Sequence, residues 1–372
     1  MQNYLELMKD ILNNGYSHPD RTKTGRRSVF GRMMRFDLTK GFPLVTTRSI
    51  PFKNPVKETL WFIQGNTDAN YLADRGCNIW NAWSVQEKDI DEFLDKNPKL
   101  YVNESDRRVL KKSMLNSYLG SIGPMYGAMW RQAPDKTLTK GDIAGRPLIH
   151  IGDIASDKFK LLAKAFENDG MTASKIFSDD IPEFDQFCNT KLAGTIDQLQ
   201  ELMVNLKNRP HSSRHVITAW IPQFIPYEEL SPQQNVIIGK GALAPCHVLQ
   251  QYYVSEPITE GGRKRLSLML TIRSNDIAIG APSNIAQYAL LLSMIAQCVG
   301  MEAYELVYSI GDAHLYENHL IGAREQIKRT PLELPTLRLD PSIKCIYDFK
   351  EHHIELKNYQ MVDPPIKYPI SV

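Results

Sequence analysis

The sequence predicts an α+β fold, a mostly antiparallel or mixed twisted sheet packed with helices. Three observations predict it. Short segments rich in Val, Ile, Tyr and Thr, bounded by Pro or Gly, stand before, between and after long helical stretches. They do not alternate with helices in the regular manner of a doubly wound sheet. Neither a GxGxxG fingerprint nor a P-loop occurs. With 372 residues, 42% hydrophobic and 23% charged, the chain can bury a large core. We read it as one domain, 1–372, carrying two insertions.

The first fifteen residues place Tyr4, Leu5, Met8, Ile11 and Leu12 at the spacing of an amphipathic helix, not in the uninterrupted apolar run of a signal peptide, so a cytoplasmic location is expected. A loop over 17–27, rich in Thr, Gly and charge, leads into a strand over 28–36. A buried helix follows over 55–64, with Pro55 near its start, Gly65 just past its end and Trp61, Phe62 and Ile63 inside it. Two stretches, about 86–118 and 136–192, are rich in charge and poor in sustained periodicity; these are the insertions. Strands are expected over 215–220, 247–254 and 267–273. The run 285–299 is apolar almost all round and predicts a helix buried against the sheet, with Ser283 or Asn284 available as N-cap.

Lys plus Arg number 44 and Asp plus Glu 42, with no long basic run, so nothing marks a nucleic-acid tract or a membrane surface. An anionic ligand must be met by a few placed arginines. Five cysteines, at 77, 188, 246, 298 and 345, form no CxxC pair, which argues against a disulfide framework and against a zinc site; no metal is expected.

Ala244-Pro245-Cys246-His247 sets a thiol at the mouth of a strand, behind a stiff proline and beside an imidazole. In many chains such a cysteine is simply a small buried residue. Context argues otherwise here. Arg273, Ser274 and Asp276 stand together at the end of another strand: the guanidinium can bond a phosphate bidentately, the hydroxyl can add a donor, and the carboxylate can accept from a heterocycle N–H or order a water.

Taken with those segments, the chain resembles the thymidylate synthase family from end to end, apart from the two insertions. The motifs are Asp20-Arg21-Thr22, the run Gly41 to Thr47, Glu58 with Leu60-Trp61-Phe62, Ile79-Trp80 with Trp83, Gly123 to Gly127, Ala244 to His247, Arg273-Ser274 with Asp276, Asn284 to Ala286, Gly311-Asp312 with His314 and Tyr316, and the terminal Pro369 to Val372. The resemblance implies that sheet faces pair to form a homodimer and that Cys246 is the thiolate that adds to C6 of a pyrimidine deoxynucleotide, making C5 nucleophilic. It implies a phosphate grip of Arg21, Arg273 and Ser274, with Arg214 contributed in trans. Asn284 matches the reader of the O4 and N3 edge of uracil, and His314 with Tyr316 the contacts to the sugar hydroxyl. Glu58, Tyr126, Asp276 and Asn284, with His247 beside the nucleophile, match the catalytic set. Trp80, Trp83, Leu243, Asp276, Gly280 and Val372 match the site of 5,10-methylenetetrahydrofolate, the co-substrate. Burial of Glu58 in an apolar helix should raise its pKa.

Four positions depart from that pattern. Ile272 stands where the synthases carry glutamine, Ser213 where an arginine precedes Arg214, Ser283 where an aromatic packs on the folate, and Ile310 where the first glycine of a Gly-Gly-Asp turn is expected. The string Arg273 to Asp276 also resembles the deoxypyrimidylate hydroxymethylases of bacterial viruses, in which water finishes the reaction. Two products are therefore in view, 5-hydroxymethyl-dUMP first and dTMP second. A non-catalytic nucleotide- or RNA-binding role predicts loss of the nucleophile or acid–base set, and neither is lost.

Overall fold

A computed structural model of the chain describes residues 1–19, 24–134 and 195–369. Arg21, Cys188, Val372 and the stretch 136–192 lie outside the described residues.

The chain opens with helix α1 (Gln2–Asn14), whose Tyr4, Leu5, Met8, Ile11 and Leu12 are buried as the spacing requires. The expected loop that follows is in part a hairpin: β1 (Tyr16–His18) pairs antiparallel with the start of β2 (Arg26–Asp37). Helix α2 (Lys53–Ile63) carries Trp61, Phe62 and Ile63 into the core and ends before Gly65, which takes a positive φ of 68°. The short α3 (Ala69–Ala73) is capped by the Asp68 side chain.

The stretch 87–118 is more regular than its composition suggests. It forms two helices, α4 (Glu87–Lys96) and α5 (Glu104–Tyr118), with Asn103 capping the second. Ile90, Leu94 and Met114 are its buried helical residues, and Lys111 bonds Asp91 and Glu87 at 2.8 Å each while Arg107 bonds Asp95 at 2.7 Å. Ion pairs between the helices take the place of an apolar stripe, which is why periodicity is weak there.

Next come α6 (Gly127–Gln132), the two-residue strands β3 (Ala133–Pro134) and β4 (Thr195–Ile196), α7 (Gln198–Asn208), β5 (Val216–Thr218), α8 (Pro232–Ile237), β6 (His247–Ser255), β7 (Arg265–Asp276), α9 (Gly280–Val299), β8 (Glu302–Tyr316), α10 (Leu320–Gln326), β9 (Thr336–Leu339) and β10 (Ile354–Lys357). The main sheet has six strands in the order β1-β2-β8-β7-β6-β5. Every neighbouring pair is antiparallel except β7 and β8, which run parallel. Parallel neighbours need a crossover, and α9 supplies it. The sheet is thus mixed, within an α+β architecture.

Leu266, Leu268, Leu270 and Ile272 of β7 and Leu306, Tyr308 and Ile310 of β8 alternate onto the face that α9 covers, where Ile285, Tyr288, Ala289 and Leu292 are fully buried. Each large apolar side chain so buried contributes about 1.5–3 kcal/mol. Helix α9 begins earlier than its apolar run implies: Gly280 is its first residue, so Ser283 and Asn284 already lie inside the helix and neither is the N-cap. The N-cap, Ile279, makes no side-chain cap bond; Asp276 instead braces the turn that leads into the helix, its Oδ1 receiving the N–H groups of Ala278 (2.9 Å) and Ile279 (3.2 Å). The opposite sheet face has no covering layer among the described residues, and Tyr253, 67% exposed, and Met33, 53% exposed, stand on it.

Candidate active site

Cys246 sits one residue before β6, half-buried at the strand's mouth. Its backbone is fixed twice. Its carbonyl accepts from Arg273 N–H at 2.9 Å, and its own N–H donates to the Tyr126 hydroxyl at 2.9 Å. Tyr126 can reach it because its backbone takes an unusual positive φ of 32° at the head of α6. The next residue must be glycine, since a Cβ at Gly127 would lie 2.6 Å from the Phe62 carbonyl oxygen of α2.

The guanidinium of Arg273 turns back over the same segment. Nε donates to the Pro245 carbonyl at 3.0 Å, Nη2 to the Ala244 carbonyl at 2.8 Å, and Nη2 lies 3.8 Å from Cys246 Sγ. The thiol is nevertheless not ionised by this neighbour alone. Burial pushes its pKa up, Arg273 opposes that, and Asp312 adds to it.

Glu58, on the inner side of α2, accepts from Trp80 Nε1 at 2.7 Å through Oε1 and from Gln287 Nε2 at 3.1 Å through Oε2. Burial raises its pKa to about 7 against the pull of those two donors, so the expected upward shift is present. Trp80 is therefore a partner of the carboxyl as well as a wall; its ring lies 6.0 Å from Tyr126 and 5.8 Å, edge-on, from half-buried Trp83.

His247 is fully enclosed, its ring 5.0 Å from Tyr126 and 5.1 Å from Tyr288. Burial lowers its pKa to about 4 despite a hydrogen bond with Asn284, so it is neutral near pH 7. The Tyr308 hydroxyl donates to Asn275 Oδ1 at 2.7 Å. Ser274 Oγ donates to Asp312 Oδ2 at 3.3 Å, and Arg26 Nη1 pairs with the same oxygen at 3.0 Å. Burial alone would raise the Asp312 carboxyl, but His314, Arg26 and Ser28 hold it below the usual carboxylate range. His314 Nδ1 lies 3.5 Å from Asp312 Oδ1, and its ring meets Tyr316 edge-on at 5.3 Å. Leu243 is half-buried near Met125, its N–H 3.4 Å from the sulfur, and Gly280 opens α9 beside Asn275. Asp276 is committed through Oδ1 to the start of α9, 3.5 Å from His319 Nδ1. Arg214 stands apart, exposed before the edge strand β5, and its guanidinium makes no hydrogen bond among the described residues.

Three of the four departures have a structural account. Ile272 and Ile310 are partners in the β7–β8 register and both are buried, so the two changes form one apolar pair. Gly311 is retained because a Cβ there would meet the Arg273 carbonyl oxygen at 2.7 Å. Ser283 is half-buried in the first turn of α9, next to Asn284. Two residues missing from the sequence reading are Gln287 and Arg26. A polar side chain inside an apolar helix was the signal for the first; a charge beside the start of a strand was a weak one for the second.

Among the described residues no group of three or more His, Cys, Asp or Glu side chains is placed to hold a metal ion, and no helix is long and apolar enough to cross a membrane.

A backbone-fixed thiol under a guanidinium, with Tyr126 in electrostatic reach of both that thiol and a carboxyl poised near neutrality, is the equipment of an enzyme that works through sulfur. Comparison with known proteins narrows that class. The family model Thymidylate synthase matches residues 2–372. The chain is 34% identical over 372 residues to the thymidylate synthase of Francisella philomiragia, covering all of both chains. It is 35% identical to that of Listeria monocytogenes, again across all of both, and 34% identical to that of Phytoplasma mali over 97% of this chain and 96% of the relative. The chain belongs to the thymidylate synthase family, whose members transfer a one-carbon group to dUMP with methylenetetrahydrofolate as co-substrate.

Proposed function

We propose that the chain converts dUMP to 5-hydroxymethyl-dUMP. Cys246 adds through sulfur to C6, the electrons pass to C5, and C5 takes up the one-carbon unit. Methylenetetrahydrofolate supplies that unit at the oxidation level of formaldehyde. Loss of the C5 proton, with tetrahydrofolate departing from the transferred carbon, leaves an exocyclic methylene; water adds its oxygen to that carbon and gives up a proton, and the Cys246–C6 bond breaks as the ring is restored. Glu58, with Tyr126 and Asp276, moves protons and orders water; its pKa of about 7 allows both states near neutrality. Arg273, Ser274, Arg21 and Arg214 hold the phosphate, Asn284 reads the uracil edge, and His314 with Tyr316 holds the sugar. His247 acts as a neutral prop for Asn284, not as a base.

The residues present fit the folate. Trp80 and Trp83 offer an aromatic wall, Leu243 an apolar edge, and Gly280 leaves room at the head of α9, where a Cβ would crowd Asn275 Nδ2 at 3.1 Å.

The observation that carries the hydroxymethyl product is Ser283. Directly before Asn284, a small hydroxyl takes the place of an aromatic that packs on folate, and a folate held less firmly admits water to the methylene carbon. A second reading, synthesis of dTMP with folate hydride finishing the reaction, is favoured by the name Thymidylate synthase carried by the relatives above. We further infer a homodimer joined through the open sheet face, with Arg214 crossing into the other copy's site; exposed Tyr253 and Met33 support it.

The test is mass spectrometry of the nucleotide formed from dUMP and methylenetetrahydrofolate, with dihydrofolate followed by absorbance. Hydroxymethyl-dUMP without dihydrofolate supports the first reading; dTMP with stoichiometric dihydrofolate replaces it with the second.

A further inference from the structure

We propose that Gln287 is the positioning residue for Glu58, clamping the carboxyl against α9 opposite Trp80 so that it can change protonation state without losing its place. The proposal rests on the reading of Glu58 as the proton-carrying group.

The geometry is specific. Gln287 is 1% exposed, seven residues along α9 from Gly280, and its Nε2 donates to Glu58 Oε2 at 3.1 Å. Its own Oε1 is buried with no hydrogen-bond partner among the described residues. A buried amide with one idle end is free to present either end to its neighbour. Facing an ionised Glu58, Nε2–H donates. Facing a protonated Glu58, a half-turn of the amide lets Oε1 accept the new O–H. Trp80 cannot do this, because an indole N–H only donates.

Among the described residues no charged side chain competes at close range. The titratable groups in electrostatic reach of the carboxyl are Cys77 after α3, Tyr126 at the head of α6 and Tyr288 on α9, and burial keeps all three protonated. Lys57 and Glu351 act on Cys77, Glu351 coming from the turn packed against α2. Two neutral donors are thus the local influences that favour the ionised form against burial. Of the two, Gln287 alone can serve both forms.

The experiment is an infrared titration of the carboxyl stretch of Glu58, assigned by its absence in Glu58→Gln, in the unmodified enzyme, in Gln287→Met and in Gln287→Ser. Methionine keeps the length and removes both polar ends; serine is smaller and still polar, and covers the case in which methionine does not fold. Hydrogen bonds to the charged form are the stronger ones, so the midpoint should rise by about one pH unit in either variant, and the pH limb of kcat should move with it while KM for dUMP stays within about twofold. An unchanged midpoint in a folded variant overturns the proposal. Full turnover by Glu58→Gln would instead overturn the proton-carrying role, and the infrared midpoint would still report whether Gln287 governs this carboxyl.

Discussion

The Tyr126 hydroxyl accepts the N–H of Cys246 at 2.9 Å, so the residue at the head of α6 holds the backbone of the proposed nucleophile at the mouth of β6. Tyr126→Phe removes the acceptor and leaves a buried N–H unpaired, at a cost of about 1–3 kcal/mol. Urea unfolding should show that loss together with a lower kcat. A variant as stable as the parent would mean that another acceptor takes over.

Arg273 bears on the chemistry through the thiol. Burial raises the Cys246 pKa and Arg273 opposes it, so Arg273→Ala should raise it further. Alkylation by iodoacetamide at mildly alkaline pH should slow by about three- to tenfold, since the thiolate is the reacting form. A faster reaction would show that the arginine mainly shields the sulfur.

For Glu58 the link to stability has a definite sign. Its folded pKa of about 7 lies above its ordinary 4.5, so the folded state binds more protons between the two. The stability it contributes is fully present below about 4.5 and is lost as pH rises through about 7. Relative to Glu58→Gln, the unmodified enzyme should lose up to about 3 kcal/mol over that window in urea unfolding. A difference that stays constant with pH would place the carboxyl at its ordinary pKa.

Restoring an aromatic at position 283 tests the product assignment from the opposite direction. Ser283→Trp should hold the folate longer and move the product ratio toward dTMP, read as dihydrofolate formed per nucleotide consumed. No movement in that ratio would detach product choice from this position.

The open sheet face offers a further check. A charge on it, as in Tyr253→Asp, should lower the sedimentation coefficient from that of a dimer to that of a monomer, and activity should fall with it. A monomeric parent enzyme would remove the basis for Arg214 acting in trans.

The helices with strong apolar signatures, α1, α2 and the body of α9, were legible in the sequence, and so were the strands around Cys246 and Arg273. Boundaries decided by a side chain from elsewhere were not. Helix α9 starts at Gly280, five residues before its uninterrupted apolar run, behind a turn braced by Asp276, and nothing local to that run reveals it. Strand β8 was hidden because polar Asp312 and His314 interrupt its alternation, and its parallel pairing with β7 depends on a crossover that no local pattern encodes. Motif residues of the site were legible by type and order. The bond from Gln287 to Glu58 was not, because it joins residues 229 positions apart.

Gly280, Ser283, Asn284 and Gln287 lie along one stretch of α9, at the spacing of successive helical turns. The proposed base reading, room for the co-substrate, choice of product and clamp on Glu58 therefore share one short, contiguous stretch of sequence. A cassette exchanged over that window would transplant these properties together, with the sheet behind it left as it is, so a relative with altered product could arise by a single recombination instead of by scattered point changes.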